Sequence, residues 1–328
     1  MEFSLSKEQE DIKRAAAEFA RGEFKQELIE ECELNHLFPR ELYKKAGELG
    51  FIGLDYPEET GGGNLGVMEN VLVIEEFCKT DSGLGMAIHL AFLPAKIIKI
   101  FGTAEQKQKF LPPLARGEKI GSFAVTEPDA GSDISSIKTK AVRDGVHYIL
   151  NGQKTFCSCA EVADYIYTAT RTDRKAPKHK GITTFLVHRG APGLEIRRIK
   201  KLGQKNMDLC NIFFTEASVP KENMVGKLNE GWINILHNVG RERFYLSAIC
   251  VGAAQAVLET ALQYAKEREQ FGKPIGHFQL IKEKLANMQM ELDAARLLMY
   301  RAGWKIQEGL PYDKEASIAK LFSSEMYR

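Results

Sequence analysis

Apolar and polar residues in the first third of the chain recur with the period of a helix. Ser6 and Gln9 have the spacing of a capping box, and Ile12, Ala15, Ala16 and Phe19 follow three to four residues apart. Pro39 suits the first turn of a second helix through Leu42, Ala46 and Leu49. The glycines of "PEETGGGNLG" predict a loop. Val67, Val71, Ile74 and Phe77 then mark a helix, and another is expected over about 83–101. Thr103 and Gln106 repeat the capping-box spacing before "KFLPPLARGE" closes the region.

The period changes near Gly121. Short runs rich in β-formers appear: "GSFAVTE", "HYILNGQ", "DYIYTAT", "GITTFLV" and "NIFFTEASV". Asp144-Gly145 and Asn151-Gly152 have the composition of hairpin turns. Such strands predict a small barrel or sandwich. From about Gly231 the helical period returns. One helix runs through Ile249 and Leu258 towards Ala265, "REQFGKPIG" breaks it, a second covers about 278–306, and a third starts near Asp313. "EASIAKLFSSEMYR" carries no helix stop signal, so this last helix is expected to run past Arg328 and the C-terminal helical region to be incomplete. The reading is an α+β chain in three parts: a helical domain (1–120), a central small β-barrel domain (121–228) and a truncated C-terminal helical bundle (229–328).

Composition narrows the class. With 44% hydrophobic and 27% charged residues the chain is an ordinary soluble protein, and a net charge of +1 gives no support to bulk nucleic-acid binding. No apolar run is read as a membrane span, and Met1-Glu2-Phe3-Ser4 lacks the basic head and apolar core of a signal peptide. The six cysteines form no CxxC, and the lone Cys157/Cys159 pair has poor zinc spacing. Reduced thiols, no metal and a cytoplasmic location are expected.

"FAVTEPDAGSD", Phe123 to Asp133, is a strand followed by a turn of small residues. It offers the hydroxyls of Thr126 and Ser132, and Ala130-Gly131 lets a ligand approach the backbone. By these properties alone it is either a ligand loop or a plain acidic turn. As a string it closely resembles the flavin-contacting signature of the acyl-CoA dehydrogenase family. "NGQKTFCSCAEVAD" resembles that family's second flavin segment, "VPKENMVGKLNEGW" its link into the C-terminal helices, and "EREQFGKPIGHFQLIKEKLANM" its other signature. These matches follow in family order and cover essentially the whole chain.

The resemblance implies FAD as cofactor and an acyl-CoA as substrate. Phe123, Val125, Thr126 and Gly131 would lie against the isoalloxazine ring, and Ser132 near the FAD pyrophosphate and the CoA thioester. Phe156 would pack on the flavin and Ser158 would bond near its N5 edge. Many members have Trp and Thr at these two positions; Phe and Ser keep an aromatic face and a hydroxyl. Arg268, Gln270, Phe271 and Gln279 match positions that reach the FAD of a neighbouring subunit, which implies a homotetramer. Glu242, in "GRERFYLSAI", matches one of the family's two positions for the catalytic base, the one used by isovaleryl- and long-chain-type members; the other lies past Arg328. A base taking the α-proton of a thioester needs a dry site that raises its pKa. Without the resemblance Glu242 reads as a helix-surface charge. Arg243 would hold the CoA, and His89 falls where the family lines its acyl pocket, or is a core histidine. An electron-transfer flavoprotein would take the electrons. An acyl-CoA oxidase and a non-catalytic flavin- or CoA-binding relative remain the alternatives.

Overall fold

The computed structural model describes residues 4–328, so the reading of Met1-Glu2-Phe3 lies outside the described residues. The chain folds into two compact units that cut across the three-part order of the sequence. One comprises the chain up to Lys25, Gly66–Met86 and Gly240–Arg328; the other comprises Gln26–Leu65 and Ala87–Val239.

The first unit is helical. It contains α1 (Lys7–Glu23) and α4 (Val67–Thr80), the greater part of α8 (Gly231–Glu267), then α9 (Gln279–Gln307) and α10 (Asp313–Tyr327). The Ser6–Gln9 capping box forms as expected. Val71, Ile74, Phe244, Ala248, Leu292, Met299 and Ala316 meet in its core. Gly252 allows the closest approach: a Cβ there would lie 2.3 Å from the Glu75 carbonyl oxygen. Glu75 is itself buried, and its carboxylate accepts from Arg296 at 3.0 Å and Lys13 at 3.4 Å, tying α1, α4 and α9 together. Burying that carboxylate is tolerable because both partners are cationic.

The second unit starts with α2 (Gln26–Asn35) and α3 (Arg40–Glu48), and α6 (Leu93–Phe101) and α7 (Ala104–Ala115) follow. Helix α5 (Ser82–Leu90) begins in the first unit and ends in the second. The helix expected over 83–101 is thus two, α5 and α6. At the break the Ala91 carbonyl accepts the amide of Gly121, far along the chain, at 2.6 Å, and Pro94 brings no amide of its own. Helix α2 was not expected, because only Cys32 on it is buried and its pattern carries little apolar signal.

Eight strands form one mixed sheet: β1 (Gly121–Ala124), β2 (Lys140–Asp144), β3 (His147–Ser158), β4 (Tyr165–Arg171), β5 (Ile182–His188), β6 (Leu194–Arg198), β7 (Leu209–Pro220) and β8 (Met224–Val225). Their pairing order is β6-β7-β3-β2-β4-β5-β8, with β1 parallel to β4. This mixed sheet is the central β domain expected from the sequence, with a pairing path that runs from β6 to β8. Asp144 pairs with His147 around Gly145, as a hairpin should. Asn151-Gly152 does not turn the chain; it forms a bulge inside β3. The Asn151 side chain is bonded to both the amide and the carboxylate of Glu216. Gly152 has φ 147°, and a Cβ there would stand 2.7 Å from Thr139 Cα. Gly152→Ala is therefore expected to destabilise the protein by about 2–4 kcal/mol, read as a lower melting temperature.

Two stretches do have the length and apolar composition of a membrane span, contrary to the sequence reading: Ser82–Phe101 and Gly231–Glu267. The first is the broken α5–α6 pair, most of it buried inside the protein. The second is half buried in the fold and carries Arg241, Glu242 and Arg243 in its interior.

Candidate active site

Within the sheet unit, the end of β1 and the second half of β3 lie side by side. The Thr155 amide donates to the Thr126 carbonyl at 2.9 Å, and Ser122 Oγ donates to the Ser158 carbonyl at 2.7 Å. The two predicted flavin segments thus form one surface. Phe123 is half-buried and stacks on Tyr167 at 5.3 Å with the rings 7° from parallel. Val125 is buried, whereas Thr126 and Ser158 are partly accessible and Gly131 and Ser132 are exposed.

Phe156 has the most unusual backbone of this group. It sits at a register shift between β3 and β7, with φ 57°, and its side chain is 62% exposed. A bulky residue in the left-handed region is strained, and a bulge re-aims the side chain it carries. An apolar ring held out of the sheet at an energetic cost fits a flat aromatic ligand better than it fits stability. Thr126 and Ser158 bring hydroxyls to the same surface, both partly accessible.

Sequence reasoning missed what holds this surface. Lys154 is fully buried, and its Nζ donates to Glu127 Oε1 at 2.8 Å and to the Val125 carbonyl at 2.9 Å. Glu127, also buried, accepts from the Lys138 amide at 2.6 Å and the Thr139 amide at 2.9 Å. Burial alone pushes the Glu127 carboxyl up; the Lys154 charge and these hydrogen bonds outweigh it and hold the carboxyl below its usual range. One charge of each sign, in two strand-like runs otherwise rich in apolar residues, was the available signal.

Within the helical unit, Glu242 is half-buried on α8, one turn before Tyr245 and Leu246 on the same helix face. Arg243 is half-buried too, and its Nη1 donates to Ser317 Oγ of α10 at 3.2 Å. "REQFGKPIG" forms a hairpin, β9 (Glu269–Gln270) and β10 (Lys273–Pro274). Phe271 and Gly272 fill its two-residue turn, both with positive φ, 52° and 75°. A bulky residue is again strained there, and the Phe271 ring is 92% exposed. Arg268, where α8 gives way to the hairpin, Gln270 and Gln279 at the start of α9 are exposed as well. The structure therefore gathers the four predicted inter-subunit residues around one hairpin.

His89 proves buried, in the sheet unit, 3.5 Å from Lys96 Nζ and edge-on to Phe92. None of the six cysteines is joined in a disulfide, and burial holds the Cys157 thiol up at about 12. Among the described residues no group of His, Cys, Asp and Glu could hold a metal ion.

Comparison with known proteins matches the chain in three successive parts. The acyl-CoA dehydrogenase N-terminal domain covers residues 6–118, the middle domain 122–217 and the C-terminal domain 229–328. The chain is 38% identical to the probable acyl-CoA dehydrogenase YngJ of Bacillus subtilis over 99% of its own length and 86% of that protein. It superposes on butyryl-CoA dehydrogenase from Megasphaera elsdenii with a TM-score of 0.94 at 35% identity, covering 99% of this chain and 86% of that one. A chain in the structural work on the electron transferring flavoprotein of Acidaminococcus fermentans superposes with a TM-score of 0.95 at 39% identity, with the same coverage. The three domain matches follow in order along the chain, and the chain belongs to the acyl-CoA dehydrogenase family of flavoprotein oxidoreductases.

Proposed function

We propose that this protein is a soluble, cytoplasmic FAD-dependent acyl-CoA dehydrogenase that converts an acyl-CoA to its trans-2-enoyl-CoA. The observation that carries this reading is the surface built from the two flavin segments, where a buried Glu127–Lys154 pair backs a strained, exposed Phe156. Bound FAD supplies a hydride acceptor at N5.

The chain's own residues do the rest. The backbone from Phe123 to Thr126, the Phe156 ring and the Ser158 hydroxyl orient the ring system, and Gly131 leaves room beside it. Ser132 lies by the thioester and the pyrophosphate. Glu242 takes the α-proton of the thioester onto its carboxylate, and Arg243, steadied by Ser317, holds the CoA. Proton abstraction by a positioned carboxylate contributes about 10²–10⁴-fold to such a reaction. Arg268, Gln270, Phe271 and Gln279 present a cationic and aromatic hairpin to the FAD of a neighbouring subunit in a homotetramer; guanidinium suits a pyrophosphate. Buried His89 lines or backs the acyl pocket. The name of the butyryl-CoA relative favours a short acyl chain.

Turnover of a short-chain acyl-CoA panel, with the product identified by mass, tests this directly. Loss of two hydrogens is expected with at least one substrate, supported by electron-transfer flavoprotein and not by oxygen. Oxygen consumption in its place would identify an oxidase. No product from any thioester would leave a non-catalytic relative.

A further inference from the structure

We infer that a cleft at one end of the sheet is a binding site for a small aliphatic carboxylate, separate from the FAD and acyl-CoA of the reading above. The cleft has a volume of about 480 Å³ and lies between the start of β4, the end of β5, the edge strand β6 and the first residue of α3. A volume of this order suits a small-molecule ligand. None of the residues lining it is among those placed against FAD or the thioester. A cationic cleft at a surface commonly holds only water. Three features set this one apart.

The first is a pair of guanidiniums without a carboxylate. Arg40 donates to the Val162 carbonyl at 3.0 Å and makes no ion pair among the described residues. The Arg189 amide donates to the Asp164 carbonyl at 3.1 Å, but its exposed side chain has no hydrogen bond or ion pair among the described residues. The acids nearby are committed elsewhere. Asp164 accepts from Lys119 Nζ at 2.8 Å through Oδ1 and from the Ile120 amide at 3.0 Å through Oδ2. Glu161 pairs with Arg198, and Glu195 with Arg197. Two guanidiniums are thus left for a ligand, and each presents a planar fork of donors that matches a carboxylate.

The second is further donors of the same kind. The Gly190 amide donates to His188 Nδ1 at 3.1 Å. That nitrogen is therefore the acceptor of the ring, and the neutral imidazole carries its proton on Nε2, where it adds a third donor to the cleft. Helix α3 begins at Arg40 behind Pro39, and no side chain caps its first amides. The positive end of the helix dipole therefore reinforces the field at this rim.

The third is an apolar floor. Val162, Ala163, Leu194 and Ile196 line the cleft beneath the cations. Leu194 and Ile196 stand two apart on β6 and so share one face of the strand. Both are half-buried, and Ala163 is buried. Apart from the His188 imidazole no ring lines the cleft, so nothing in it offers a nucleobase a stacking partner. A bare inorganic anion would leave the floor unused. An alkyl chain ending in a carboxylate uses both the floor and the guanidiniums.

The test is calorimetric titration of the FAD-loaded protein with hexanoate, with CoA present in saturating amount to occupy the proposed substrate site. Acetate, hexanol and inorganic phosphate are the comparison probes. Hexanoate is expected to bind once per chain, at least about tenfold tighter than acetate because its added methylenes meet the floor. Hexanol and phosphate, each lacking one half of the ligand, are expected to bind at least about tenfold more weakly than hexanoate. R189Q should weaken hexanoate by about fivefold, and R40Q/R189Q by at least about tenfold. The Arg189 side chain holds nothing in the fold, so R189Q is expected to keep the melting temperature and the acyl-CoA turnover of wild type. No binding of hexanoate to wild type, or equal affinity in wild type and both variants, would overturn the site. So would phosphate or hexanol binding as tightly as hexanoate, or CoA displacing hexanoate, which would put it in the substrate site. Flavin reduction by acyl-CoA decides the proposed function separately, since the titration reads the cleft whether or not the protein turns over a thioester.

Discussion

Replacing Glu242 by glutamine is expected to leave the protein folded, FAD-loaded and able to bind acyl-CoA, while slowing anaerobic flavin reduction by about 10²–10⁴-fold. Glutamine keeps the shape of glutamate and its place on α8 but cannot take a proton. The readout separates three outcomes. A bound but unreduced complex assigns the base to Glu242. Reduction at the wild-type rate makes Glu242 a helix charge and puts the base elsewhere. Loss of binding together with reduction points to the neighbouring Arg243, whose contact with Ser317 would then have been disturbed. Arg243→Gln serves as the control and is expected to raise KM more than it lowers kcat.

Lys154→Met is the second large effect. It leaves the Glu127 carboxylate buried without its cation, which costs about 3–5 kcal/mol in comparable buried pairs. For a protein of this size that lowers the melting temperature by roughly 5 °C. Phe156 lies two residues along the same strand, so FAD retention is expected to fall as well. Replacing both charges with apolar residues will not restore the protein, because Glu127 also accepts the Lys138 and Thr139 amides and their partners would be lost. The pH dependence has a definite sign. Glu127 has its folded pKa below its unfolded value, so the stability it contributes is complete above the ordinary carboxylate range and is lost as pH falls through the folded pKa. The stability difference between wild type and Glu127→Gln should therefore narrow on acidification. A difference that widens towards acid would mean that Glu127 is buried as the neutral acid.

Much of this was legible in the chain because the signals are local. Capping boxes at Ser6 and Thr103 are satisfied within one turn of helix, and the Asp144-Gly145 turn within one hairpin. The misses depended on distant partners. Asn151-Gly152 has turn chemistry, yet Glu216 across the sheet and the close approach of Thr139 make it a bulge. The helix over 83–101 breaks because a strand amide far along the chain, that of Gly121, takes the Ala91 carbonyl. The candidate site divides in the same way. Its strings were readable from their resemblance to a family, whereas the strain at Phe156, the Phe271 turn and the Glu127–Lys154 pair required the backbone path. No period or spacing encodes the meeting of Glu127 and Lys154, which lie on separate strand-like runs.

The most direct test of the acyl-CoA dehydrogenase reading is anaerobic titration of the FAD-loaded protein with butyryl-CoA, following the flavin absorbance band in wild type and Glu242→Gln side by side. Bleaching in wild type, and a bound but yellow complex in the variant, is the expected result. A wild-type band that stays unbleached by butyryl-CoA and by every other acyl-CoA would contradict it.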